Sequence, residues 1–358
     1  MSEPQEGVGV RGTVPRSHLS ERQRAILGMI VQEYSGTGKA VGSKALTERY
    51  EMGLSSATIR NEMAELEQSG LVQHLHTSGG RVPTVEGYRY FVRNLMGQPS
   101  LPSEAQIMIR HQFQQPQMQL EGWIQLAASV LATASGNVSV VTLPRTVRPK
   151  LRHFELISLQ PRLALLVAVT GESIVRQVFV NLEEPANQEE LRALTDRLLP
   201  LTGGLSADEM MPLLPHHQGA AHSVLRQLVD TLHDFDSAER AELHHHGLEH
   251  IVGQRDIDEG DVQGVIELLS GGAFLNAVAP QMSTRGVQVF IGDETLPEEL
   301  RRFGVVIATY GIDGAVTGML GVIGPTHMSY FRSVSTVRYM SALMSDLMSN
   351  LIGDEVLR

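Results

Sequence analysis

Cysteine is absent from the 358 residues. That excludes disulfide scaffolds, thiolate nucleophiles, cysteine-ligated zinc and iron–sulfur clusters, and it fits a reducing cytoplasm. Long apolar runs are missing as well. The longest is Leu163–Val169, far short of the roughly 20 residues of a helical span. The opening stretch, Met1-Ser2-Glu3-Pro4-Gln5-Glu6, is polar and acidic, unlike a signal peptide. The chain therefore reads as soluble and cytoplasmic, with no membrane partner. Catalytic signatures are lacking too: there is no Walker A loop, no nucleophile elbow and no His-Glu-x-x-His. No enzyme, catalytic residue or cofactor is expected.

What is present is an ordinary globular composition, 42% hydrophobic and 19% charged. A prior of roughly 150 residues per domain gives two or three domains. The formal net charge is -11, but it is unevenly spread. Residues 1–98 hold one more basic than acidic residue, and the rest carries the whole acidity. An acidic body either repels nucleic acid at long range and so favours sites with specific contacts, or only aids solubility, while the near-neutral N-terminal part has room for a local basic face.

Residues 1–18 are rich in Gly and Pro without apolar periodicity and read as a flexible tail. Residues 19–96 are compact and helical. Gly97–Ser103 is a linker by composition. An amphipathic helix follows, with Leu120, Trp123, Ile124, Ala127, Val130 and Leu131 on one side. Strand signals then appear at Val138–Leu143, Phe154–Leu159, Leu163–Val169 and Ile174–Val180, the last two joined by a hairpin turn at Thr170–Ser173. Residues 185–250 read as helical, acidic and His-rich. Strands resume at Val287–Ile291, Val305–Thr309 and Thr317–Ile323, before a closing helix with a Val337, Met340, Met344, Leu347, Leu351 seam. Strands, then helices, then strands indicate one α+β domain interrupted by an insertion.

The N-terminal module carries the clearest chemistry. Ser20-Glu21-Arg22-Gln23 matches a capping box at the start of a first helix that ends at Gly36–Gly38. A second starts at Ser43 and runs to Tyr50. Glu51–Leu54 is a short Gly-containing turn, and a third helix starts at Ser55 or Ser56 and ends at Gly70. This is the helix-turn-helix pattern. Ile59, Met63 and Leu66 face inward, which leaves Ser56, Thr58, Arg60 and Asn61 outward on the half of the helix that enters the major groove. Arg pairs with guanine and Asn with adenine. Hydroxyls such as Ser43, Ser55, Ser56 and Thr58, at or near helix starts, suit phosphates. Lys44 is placed to meet the DNA backbone. After Gly70 a strand, a Thr77–Gly80 turn and a return strand from Arg81 form a wing, from which Arg81 is expected to reach phosphate or the minor groove. Thr84 caps the following helix, Val85–Met96. Small three-helix units also serve in protein assembly, so that alternative stays open.

These residues are similar to a known family. Val41-Gly42-Ser43-Lys44, Gly53–Met63, Leu66-Glu67, His76–Thr84 and Gly87-Tyr88-Arg89 together resemble the heat-inducible transcription repressor HrcA of bacteria. Gly79 stands where that family usually has Ala. Gly292-Asp293-Glu294, Gly318–Pro325 and Thr326–Tyr330 resemble its C-terminal segments, with His327 in place of the usual Arg. The resemblance implies a winged helix, a GAF-like domain and a dimerising domain inserted into the latter. It implies a homodimer on an inverted-repeat operator of chaperone genes, released on heat stress, with the chaperonin GroEL supporting its activity. The expected fold is thus α+β: a winged helix-turn-helix (19–96), then a GAF-like α/β domain (104–184 and 251–358) interrupted by a mainly helical dimerisation insert (185–250).

Two features remain. The run Leu243-His244-His245-His246-Gly247 with His250 admits a metal reading, since His246 and His250 would share a helix face, or a solvated polar helix; no metal site is expected. Gly311, Gly314, Gly318 and Gly321 mark tight turns or close backbone approach. A GAF-like pocket for a small-molecule effector is the alternative regulatory reading.

Overall fold

The computed structural model describes residues 8–11, 19–50, 53–74, 80–114, 119–146, 149–171, 175–236, 243–254, 256–270, 272–282, 286–312 and 316–356. The chain forms two compact units, one of residues 1–144, 239–312 and 318–358 and the other of residues 145–238 and 313–317.

The first unit opens with a two-residue strand, β1 (Gly9–Val10). Helix α1 (Glu21–Thr37) starts in a capping box in which Ser20 and Gln23 satisfy each other's backbone N–H, and it stops at Gly38, whose φ is 63°. Helices α2 (Ser43–Arg49) and α3 (Ser56–Gln68) follow. Ile26, Leu27, Ile30, Leu46, Ile59, Met63 and Leu66 fill the space between the three helices. Strands β2 (Val72–His74) and β3 (Arg81–Pro83) pair antiparallel. Thr84 then caps α4 (Val85–Asn94). Here Gly87 is required, because a Cβ would lie 2.0 Å from the Leu71 carbonyl oxygen. Three helices and a ribbon make a winged helix-turn-helix. The expected turn residues Glu51, Met52 and Thr77–Gly79 lie outside the described residues. Beyond it come α5 (Ser103–Gln112), α6 (Leu120–Ser135) and β4 (Val138–Thr142).

The second unit begins with β5 (Arg145–Thr146). Strands β6 (Leu151–Gln160), β7 (Leu163–Thr170) and β8 (Val175–Asn181) then form an antiparallel sheet. Burial alternates along β7 residue by residue, the signature of a sheet covered on one face. Phe154, Leu156, Ala164, Leu166, Ala168 and Val180 share a core with residues of α7 (Gln188–Thr202), α8 (Ala207–Met210) and α9 (Ala220–Asp236). The unit thus differs from the helical insert expected at 185–250. It takes in the three strands whose sequence texture matches that of the other sheet, and it ends before the His run. The hairpin expected at Thr170–Ser173 is supported by the β7–β8 pairing; Glu172 and Ser173 are outside the described residues.

The chain re-enters the first unit with β9 (Leu243–His246), α10 (Glu259–Ser270) and α11 (Ala273–Val278). Strands β10 (Val287–Ile291), β11 (Phe303–Ile312) and β12 (Val316–Pro325) and the closing helix α12 (Tyr330–Val356) complete it. The main sheet runs β1–β10–β11–β12–β4–β9. Val334, Val337, Met340 and Met344 of α12 and Ile124, Ala127 and Leu131 of α6 are buried in the same core as its strands.

Two expectations change here. Gly9 and Val10, read as tail, pair in parallel with Gln288 and Val289, and the Arg11 N–H extends the ladder to the Val289 carbonyl at 3.0 Å. Residues 243–246, read as helix, form an edge strand with His245 opposite Val140, so His246 and His250 share no helix face. Among the described residues no group of three metal-ligating side chains gathers. Gly318 and Gly321 are sites of close approach. A Cβ would fall 2.4 Å from the Tyr310 ring at the first and 2.5 Å from the Val306 carbonyl at the second. No helix among the described residues is long and apolar enough to cross a membrane.

Candidate nucleic-acid interface

Helix α3 is built to present its first turns. Ser55 is its N-cap, accepting from the Thr58 N–H at 3.1 Å, with the Thr58 hydroxyl 2.9 Å away. Ile59, Met63 and Leu66 hold the inner face. The start of α2 is tied to the start of α3 through the hydroxyls of Ser43 and Ser56, 2.9 Å apart. The N-terminal turns of the two helices therefore sit side by side.

The outward stripe of α3 is Ala57, Arg60, Asn61, Ala64 and Gln68, at i, i+3, i+4, i+7 and i+11. Ala57, Arg60, Asn61 and Gln68 are exposed and Ala64 half-exposed. No carboxylate stands in that stripe. The three glutamates of the helix are turned to its flanks and each is held. Glu62 pairs with Arg22 of α1 at 3.2 Å. Glu65 accepts from the Gln23 side chain at 2.6 Å. Glu67 pairs with Arg81 at 2.9 Å and with His74 at 3.0 Å. Burial pushes the Glu67 carboxyl up, but the His74 hydrogen bond and the Arg81 charge outweigh it and leave it below the ordinary carboxylate range. A phosphate backbone approaching the stripe meets one cation, two amides and two alanines, with the carboxylates at its edges.

The site residues expected from sequence divide into two groups. Ser55, Arg60 and Asn61 are exposed, and Ser56 and Thr58 are half-exposed on the same end of α3. Lys44 is exposed on α2, its ammonium 3.8 Å from Glu48 one turn on, a pairing worth little in solvent. Ser43 and Arg81 differ from expectation. Ser43 is 8% exposed and its hydroxyl is engaged with Ser56. Arg81 is 9% exposed and its guanidinium faces Glu67 and His74 rather than solvent. Sequence reasoning missed Ala57, Ala64 and Gln68, which helical spacing from Arg60 would have found. It also missed the partners of the glutamates, which lie on other elements.

The module is fastened to the sheet behind it. Arg89 of α4 donates from Nε and Nη2 to the Ile291 carbonyl and from Nη2 to that of Gly292. Against α1, the His327 ring meets Tyr34 edge-on with centroids 6.0 Å apart, and its Nδ1 lies 3.5 Å from an Asp256 oxygen. Burial lowers the His327 pKa, with Asp256 opposing. The Ser35 hydroxyl donates to the Met328 carbonyl at 3.4 Å.

Comparison with known proteins matches this architecture. The family model described as "Winged helix-turn-helix transcription repressor, HrcA DNA-binding" matches residues 18–96. The one described as "HrcA protein C terminal domain" matches residues 121–334. The chain is similar to the heat-inducible transcription repressor HrcA of Thermomicrobium roseum, 43% identical with 94% of this chain and 97% of the relative covered. It is 40% identical to that of Roseiflexus castenholzii, with 94% and 96% covered. Among solved structures, a crystal structure described as a hypothetical protein at 2.2 Å resolution shares the fold, with a TM-score of 0.59 at 23% identity over 93% of this chain and 99% of that one. A winged helix-turn-helix, relatives named repressors over nearly the whole chain and both family models together lead to one conclusion: the chain belongs to the HrcA family of heat-inducible transcription repressors.

Proposed function

We propose that the protein represses chaperone operons as a homodimer on an inverted-repeat operator, with the outward stripe of α3 in the major groove of each half-site. The observation that carries this reading is the absence of carboxylate from that stripe while Glu62, Glu65 and Glu67 are each paired off it. Arg60 and Asn61 are the base-reading residues. Ser55, Ser56, Thr58 and Lys44 contact phosphates at the edge of the groove.

A twofold operator calls for a twofold protein. The open face of the β6–β8 sheet supplies a self-complementary surface. Ile157, Leu165 and Phe179 lie opposite one another across the three strands, and Val169 lies opposite Val175. Ile157, Val175 and Phe179 are exposed large apolar residues on it. A second copy covers this face, and the dimerising role belongs to the unit of residues 145–238. On this reading the repressor acts in the cytoplasm, GroEL keeps it competent, and heat releases it when misfolded proteins occupy the chaperonin.

The test is a gel shift with the full chain and a promoter fragment of a chaperone operon from the same genome, against a random duplex of equal length at moderate salt. Preference for the promoter that is lost on heating supports the reading. Equal affinity for both duplexes overturns it.

A further inference from the structure

The base of the ribbon beside α3 holds a charged cluster that groove contact does not use. His74 of β2 and Arg81 of β3 are direct cross-strand partners, and both face Glu67 near the end of α3. The two carboxylate oxygens of Glu67 are divided between them, one 3.0 Å from His74 Nδ1 and the other 2.9 Å from Arg81 Nη2. Arg81 Nη1 closes the triangle on His74 Nε2. Arg81 is also gripped through its backbone, exchanging both hydrogen bonds with Val41 at 2.8 and 2.9 Å. This residue thus joins the segment before α2, the ribbon and the reading helix.

Donor and acceptor capacity across these contacts is satisfied by one state of His74. A guanidinium only donates, so Nε2 must present its lone pair to Arg81. A carboxylate only accepts, so Nδ1 must carry the proton. The imidazole that fits is neutral, with its hydrogen on Nδ1. A second proton would sit on Nε2 and point at the Arg81 cation. Glu67 from α3 and Arg81 from β3 are the charged groups that face His74 in the triangle. On Glu67 the charge of Arg81 and the hydrogen bond from His74 act together.

We infer that Glu67 is the positioning residue of the wing, holding the ribbon against the reading helix through Arg81 and a neutral His74, so that operator affinity falls when His74 is protonated. Protonation removes the Arg81–His74 hydrogen bond and leaves one carboxylate between two cations. The ribbon then loses its fixed angle to α3, and with it the contacts that angle gives beside the groove. The inference rests on the proposed operator binding and adds to it a proton-sensitive register.

The experiment measures anisotropy of a labelled chaperone-promoter duplex and of a random duplex with the full chain, from about pH 7.5 to about pH 5.5. Wild type, Glu67→Gln and His74→Gln are compared. Wild type is expected to lose about tenfold in promoter affinity on acidification, the worth of one charge-assisted hydrogen bond. Glu67→Gln is expected to bind about tenfold more weakly at the upper pH. His74→Gln gives a flatter profile than wild type. His74 is half-exposed, so its variant keeps the fold even if Glu67→Gln does not, and a thermal melt of each protein checks this. Parallel pH profiles for wild type and His74→Gln overturn the inference, as does a folded Glu67→Gln with wild-type affinity. If wild type has no preference for the promoter at any pH, operator binding itself is refuted and the inference falls with it.

Discussion

Arg89 and Ile291 are joined by a forked hydrogen bond: Nε and Nη2 of the guanidinium both donate to one carbonyl oxygen, at 3.0 and 2.8 Å. The arginine is 9% exposed and its bonds go to backbone carbonyls, so it acts as a strap between α4 and the end of β10. Replacing it by Ala should cost about 3 kcal/mol, the upper range for a hydrogen bond to a charged group. Arg89→Lys should recover part of that, since an ammonium cannot fork. Urea unfolding followed by circular dichroism measures both, and a wild-type midpoint for Arg89→Ala would show that the strap is dispensable.

Arg60→Ala should leave the melt unchanged, because the side chain is exposed, and should remove about 1–3 kcal/mol of discrimination at one base pair of each half-site. Lys44→Ala should act differently. It should weaken operator and random DNA alike and reduce the salt slope of binding by about one unit. Titrations over a salt series with single-base operator variants separate the two, and an Arg60→Ala protein that reads every variant as wild type does would remove that residue from the groove.

Phe179 is 64% exposed in the Ile157–Leu165–Phe179 row. Phe179→Asp should leave the monomer folded and weaken self-association by about 2 kcal/mol or more, as expected for a central aromatic anchor. Sedimentation equilibrium reads this directly. A variant that sediments as wild type does would move the twofold contact elsewhere.

His327 makes stability depend on pH in a definite direction. Burial lowers its folded pKa, so the folded chain binds fewer protons than the unfolded one and stability rises with pH. The contribution is complete above the ordinary histidine value of about 6.5 and is lost as pH falls below it toward the lowered folded value. His327→Gln should flatten the fall in melting temperature over that window. A slope identical to that of wild type would mean that other groups carry the whole dependence.

Much of the N-terminal module was legible because its signals are local. The Ser20–Gln23 capping box, the inner spacing of Ile59, Met63 and Leu66 and the Gly38 stop each involve neighbours in sequence, and each recurs in the structure. What was not legible depends on distant partners. Nothing near Arg81 announces that Glu67 and His74 will claim its guanidinium. Gly9–Val10 is too short and too glycine-rich to read as a strand, and becomes one only because β10 offers an edge. The His run near 245 has no apolar period, so its pairing with β4 decides its conformation. The start of the second unit at Arg145 was hidden because strands of like texture stand on both sides of it.

The strand Val287–Ile291 carries the winged helix from two directions, since Val10 ladders onto Val289 ahead of it and Arg89 hooks onto Ile291 behind it. A head hung on a single leash would tumble and forfeit that freedom on docking, at several kcal/mol of lost orientational entropy. Two tethers on one strand remove the tumbling in advance. They also give the head a shared support: disorder in this strand loosens both tethers together and leaves the Tyr34–His327 and Ser35–Met328 contacts of α1 to hold it.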